Sequence, residues 1–78
     1  MDKNTLDNLE QRLHKEYPFG IPRKQIGVAT GGLLHPRTMA NLDSAGEGVP
    51  GRYKFGRQMI YPVSPTVKFI IKKIMQTA

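Results

Sequence analysis

The sequence predicts a mainly helical α+β domain: a helix-turn-helix followed by a short β-hairpin wing, with an extra helix at the N-terminus. Three observations predict it. Apolar residues recur at helical spacing in short stretches, a Gly31-Gly32 turn separates two of those stretches, and a segment near residues 52–63 alternates around a glycine. Residues 1–20 read as an amphipathic helix with its connection, and residues 21–78 as the winged helix-turn-helix. A chain of 78 residues buries only ~60–65% of the surface its unfolded form exposes, so the core is small.

Each element has its own reason. Asn4 is placed to cap the first helix, with Asp7 near the positive end of its dipole, and Leu6, Leu9 and Leu13 form its apolar stripe, with Tyr17 close by. The run Tyr17-Pro18-Phe19-Gly20-Ile21-Pro22 ends it, because each proline holds its predecessor extended. Pro22 is expected to open a second helix running to Thr30, with Ile26 and Ala29 on its inner face. After Gly31-Gly32, Pro36 begins a third helix to Asp43 or Ser44, and residues 46–51, rich in Gly and Pro, read as a loop. Two strands, 52–55 and 59–63, flank a turn at Gly56-Arg57, and Tyr53, Phe55 and Tyr61 are expected in the core of the wing. Ser64-Pro65 is then expected to start a last helix that buries Val67, Ile70, Ile71 and Ile74. The stripe of the first helix either folds back onto this last helix or docks another chain, and the short connection favours folding back.

Composition narrows the function. There is no cysteine, so no disulfide or thiolate metal site is expected, and two histidines, His14 and His35, do not make a metal cluster. No apolar run approaches ~18 residues, and the N-terminus lacks a signal-peptide pattern, so a cytoplasmic protein is expected. Nothing resembles a Ser/His/Asp grouping, a phosphate loop or a carboxylate pair beside a histidine, so no enzyme and no cofactor are expected. The charge points elsewhere. Residues 1–20 hold three basic and four acidic residues, whereas residues 21–78 hold nine basic residues and only Asp43 and Glu47, a net of +7. Such a basic domain has the electrostatic footprint of a nucleic-acid binder.

The third helix supplies the candidate readout. If it packs through Met39 and Leu42, then Arg37, Ala40, Asn41 and Ser44 point the other way, and Asp43 falls on the flank nearer the packed side. Arg matches guanine and Asn matches adenine in the major groove, while Thr38 divides between phosphate contact and packing. A second basic surface lies on the wing, with Arg52 at its base and Lys54, Arg57 and Gln58 at or near its tip. Arg23 and Lys24, ahead of the turn, complete the candidate DNA-contacting set.

Taken together, Arg23-Lys24-Gln25-Ile26, Thr30-Gly31-Gly32-Leu33-Leu34, the run from Pro36 to Asp43 and Gly46-Glu47-Gly48 resemble the MerR-type excisionases and AlpA-like phage regulators. The resemblance continues through Arg52, Gly56 and Arg57 into Tyr61-Pro62-Val63, and so covers about residues 21–75. Two features depart from it: His35 stands where a Ser or Asp cap is usual, and the turn through Leu34 is slightly long. The resemblance implies a winged DNA-binding protein of a phage or mobile element, acting as an excisionase or as a small transcriptional regulator. It places Arg37 and Asn41 on the recognition helix and Arg57 on the wing. The partner implied is double-stranded DNA, bound by a monomer or weak homodimer in a bacterial or phage-infected cell. The alternative is an adaptor whose first helix recruits an integrase, another recombinase or RNA polymerase.

Overall fold

The computed structural model describes residues 3–75. Helix α1 spans Lys3–Glu16, a two-residue strand β1 spans Ile21–Pro22, and a 3₁₀ turn at Arg23–Gln25 leads into the one-turn helix α2, Ile26–Ala29. Helix α3 covers Pro36–Ser44, strands β2 and β3 cover Tyr53–Phe55 and Gln58–Tyr61, and helix α4 covers Val63–Ile70 before widening to a π-turn at Ile71–Met75. The domain is therefore α+β and mainly helical. Among the described residues no helix is long and apolar enough to cross a membrane.

Helix α1 folds back onto α4, and its stripe decides how. Leu13 is fully buried in the common core, Leu9 is half-buried against it, and Leu6 is half-buried. Two polar contacts fix the docking: His14 Nε2 lies 3.2 Å from Ser64 Oγ at the start of α4, and Arg12 donates to the Ala29 carbonyl at 3.4 Å. That carbonyl belongs to the C-terminal end of α2, where a cation is favoured. Asn4 is not the cap of this helix, since Lys3 before it is already helical.

The segment 21–25 corrects the expected second helix. Pro22 is extended, at φ −62° and ψ 143°, and β1 pairs antiparallel with β3, Ile21 opposite Tyr61 and Pro22 opposite Ile60. The sheet thus has three strands in the order β1-β3-β2 instead of two. A proline is tolerated there because β1 is an edge strand. The turn after α2 follows from Gly31, whose φ of 64° suits glycine. It lets Gly31 donate to the Val28 carbonyl at 3.2 Å and Gly32 to that of Gly27 at 2.8 Å, the paired bonds of a Schellman motif. Thr30 completes the turn, its hydroxyl donating to Ile26 O at 2.6 Å and accepting from Leu34 N at 3.1 Å.

Helix α4 begins at Val63, earlier than expected, because the Pro62 carbonyl already accepts from the Thr66 amide at 3.1 Å and from its hydroxyl at 2.7 Å. Ser64 and Pro65 lie inside the first turn, where a missing N–H costs nothing. Val67 and Ile70 are buried and Ile71 is half-buried, while the side chain of Ile74 falls outside the described region. The fully buried set of Leu13, Ile21, Ile26, Met39, Val49, Tyr61, Thr66 and Ile70 draws on α1, β1, α2, α3, the long loop, β3 and α4. Strand β2 adds nothing to it. Tyr53 and Phe55 are 42% and 76% exposed, so of the three wing aromatics only Tyr61 is core.

Leu13→Ala is expected to cost ~2–5 kcal/mol, the range for a buried leucine, and deletion of residues 1–16 to lower the melting temperature. Denaturation followed by circular dichroism measures both. An unchanged melting point after the deletion would place α1 outside the core.

Candidate nucleic-acid interface

Helix α3 presents the face expected of it. Pro36 occupies its first turn, His35 precedes it in an extended conformation without a side-chain cap, and the Met39 amide bonds the His35 carbonyl at 3.0 Å. Met39 is buried and Leu42 half-buried, leaving Arg37, Thr38, Asn41 and Ser44 exposed. Ala40 is half-buried instead of fully open. The helix ends in a second Schellman pair, Glu47 N to Leu42 O at 2.8 Å and Gly46 N to Asp43 O at 3.1 Å.

Asp43 ties this helix to the sheet. Its carboxylate is only 7% exposed and takes bonds at Oδ2 from Arg23 Nη2 and from the Tyr61 hydroxyl, both at 2.6 Å. Arg23 also donates from Nε to the Tyr61 oxygen at 2.9 Å, closing a three-residue ring. Arg52 Nε lies 3.2 Å from Oδ1 as an ion pair, but its direction makes no hydrogen bond, so the buried Oδ1 has no donor among the described residues. Arg52 is further held through Nη1 to the Val49 carbonyl at 3.1 Å. Burial, reinforced by the bond to Asp43, pushes Tyr61 up to about 12 from 10.0. The Tyr61 and Asp43 bonds also hold the Arg23 guanidinium above its ordinary value. Space for the carboxylate comes from Gly48, where a Cβ would stand 1.8 Å from Asp43 Oδ1.

The hairpin completes the surface. Phe55 faces Gln58 across the two-residue turn Gly56-Arg57, with φ +65° at Gly56. Lys54, Arg57 and Gln58 are exposed, and Lys54 pairs with Met59, which puts both on one face of the sheet. A cleft of about 380 Å³ between Arg23, Lys24, Pro36, Arg57, Gln58 and Met59 brings the hairpin tip beside the start of α3. The ten candidate residues therefore divide. Lys24, Arg37, Thr38, Asn41, Ser44, Lys54, Arg57 and Gln58 are open to solvent, whereas Arg23 and Arg52 are 31% and 27% exposed and engaged with Asp43. Asp43 and Gly48 are the site-forming residues that the sequence reading passed over. The signal for Asp43 was its place on the packed flank of a helix in a basic region.

The chain matches no protein-family model, and no significant match to it is found among curated proteins or solved structures.

Two outcomes test this cluster. Gly48→Ala is expected to cost ~1–3 kcal/mol by overpacking the carboxylate, and to be nearly neutral in an Asp43→Ala background, which a double-mutant cycle reads out. The raised value of Tyr61 means that the fold favours the protonated phenol. Its contribution is therefore full below pH 10.0 and is lost as pH climbs toward about 12. That limb is worth roughly 2–3 kcal/mol in chemical denaturation. Tyr61→Phe should lower stability at neutral pH and flatten the limb, while the lysines and remaining tyrosines stay common to both proteins.

Proposed function

We propose that this chain is a sequence-specific double-stranded DNA-binding domain of the winged helix-turn-helix type. In this reading α3 enters the major groove and the β2–β3 hairpin acts as the wing. One observation carries it: a single cleft runs from Pro36, at the start of α3, to the hairpin tip at Arg57, and Arg37, Thr38, Asn41 and Ser44 stand exposed along the same helix. Arg37 and Asn41 would contact base edges, with Thr38 and Ser44 at the groove wall. Lys24, Lys54, Arg57 and Gln58 would follow the phosphates. Arg23 and Arg52 would position these elements through Asp43 without touching DNA. The role is binding without chemistry, as an excisionase or a small transcriptional regulator in a bacterial or phage-infected cell. Docking a recombinase or polymerase through α1 is the weaker reading, because Leu13 is committed to the core and only the half-buried Leu6 and Leu9 remain.

Binding to random duplex, measured by fluorescence anisotropy, is expected to weaken with salt at a log–log slope of about −4, as four to five neutralised phosphates require. A flat response would remove the reading. The two basic surfaces should separate on a selected site. Arg37→Ala is expected to cost ~1–3 kcal/mol there and to relax base preference. Arg57→Ala should weaken specific and random DNA alike and reduce the slope by about one. Equal losses from both variants on both DNAs would place the readout away from α3.

A further inference from the structure

The other face of the sheet carries an aromatic surface that the proposed DNA contacts, apart from Gln58 opposite Phe55, do not use. Tyr53 and Phe55 on β2 share that face with Ile60, opposite Lys54 and Met59. Phe19, in the turn after α1, stands beside them, and the Tyr53 hydroxyl donates to its carbonyl. Phe19 is 84% exposed, Phe55 76% and Tyr53 42%. Together with Tyr17, Pro18 and Ile60 they line a groove of about 650 Å³. Large apolar side chains gathered on one concave face mark a contact surface, in contrast to singly scattered ones.

We propose that this face joins two copies of the chain about a two-fold axis, Phe19 and Phe55 of each seated in the groove of the other. Charge selects a second copy over other occupants. The chain carries +6, so two copies repel wherever their basic surfaces approach. Among the described residues lining this groove Glu16 alone is charged, and it is acidic. The first twenty residues, which include Phe19, sum to −1. No cation lining this groove opposes the approach of a second copy, in contrast to the basic surfaces. A single nucleic-acid strand could stack bases on the aromatics, but its phosphates find no cation lining the groove.

Shape supports the same occupant. Protruding phenyl rings and a hole to receive them lie on one face, the self-complementarity an isologous contact needs. The Tyr53–Phe19 hydrogen bond ties the turn to the hairpin, so the groove is preformed and little ordering is required on association. At about 200 Å² per aromatic side chain, covering the exposed parts removes on the order of 400 Å² per copy. The total of about 800 Å² falls below the ~1,200 Å² of a stable interface, so the dimer is weak and transient. Lys54, and the cleft holding Arg57, lie toward the opposite side of the hairpin, so pairing leaves them open.

The association measurement uses the full chain without nucleic acid, so its result is independent of the DNA reading. Sedimentation velocity from about 10 μM to about 1 mM should show monomer passing to dimer with a midpoint in the hundreds of micromolar. Added salt should strengthen association by screening the +6 repulsion, opposite in sign to its effect on DNA binding. The Phe19→Ser, Phe55→Ser double variant should associate at least ~10-fold more weakly, its melting temperature serving as the check on folding. Phe55→Ser alone replaces it if the pair does not fold. A monomer at every concentration overturns the proposal, as does a dimer that the substitutions leave unchanged. So does a monomeric wild type whose oligothymidylate binding is lost on Phe55→Ser, which would make the face a base-stacking platform.

Discussion

The carboxylate of Asp43 is the constraint from which the arrangement of this small domain follows. Helix α3 is nine residues long, starts without a side-chain cap and reaches the core through Met39 and the half-buried Leu42 alone. Its remaining freedom is taken up by one buried acid that reaches the 3₁₀ turn through Arg23, the base of β2 through Arg52 and the end of β3 through Tyr61. Breaking a buried ion pair by removing one partner costs several kcal/mol, whereas an apolar replacement of the whole set need not. What the cluster contributes is direction more than stability. It sets where the open face of α3 stands relative to the hairpin.

This constraint also determines which cations are available. Counting charges along residues 21–78 treats Arg23, Arg37, Arg52 and Arg57 alike, but burial of Asp43 separates them into two kinds. Arg23 and Arg52 hold the elements together, and Arg37 and Arg57 stay in solvent on the elements so held. Pro36, at the start of α3, and the hairpin tip at Arg57 then stand in a fixed relation, with Lys24 lining the same cleft. A loosely tethered arginine pair would give the same net charge without that geometry.

Much of this was legible in the sequence where the cause is local. The span of α3, the Gly31-Gly32 turn and the Gly56-Arg57 hairpin follow from proline, glycine and apolar spacing within a few residues. The return of α1 to α4 was legible from a short connection and a stripe too narrow to stand alone. Strand β1 was not, because Ile21 and Pro22 become a strand only by pairing with Ile60 and Tyr61, far along the chain. The exposure of Tyr53 and Phe55 was hidden for a similar reason. Alternation places them on one face, but only the assembled sheet reveals that nothing covers it. Ion pairing of Arg23 and Arg52 is likewise invisible to a charge count.

The hairpin brings these threads together, since its period of two gives one short element opposite surfaces. Met59 and Lys54 face the side of the cleft and α3, while Tyr53, Phe55 and Ile60 face away from it toward Phe19. An edge strand whose every residue is exposed gains no stability from its own burial. Its position is instead imposed from its base, where Arg52 meets Asp43, and from its outer face, where Tyr53 bonds the Phe19 carbonyl. Loosening either anchor would shift both surfaces at once, because three residues of strand are too few to bend independently. The hairpin therefore couples the basic and aromatic faces mechanically, although no charged group is shared between them.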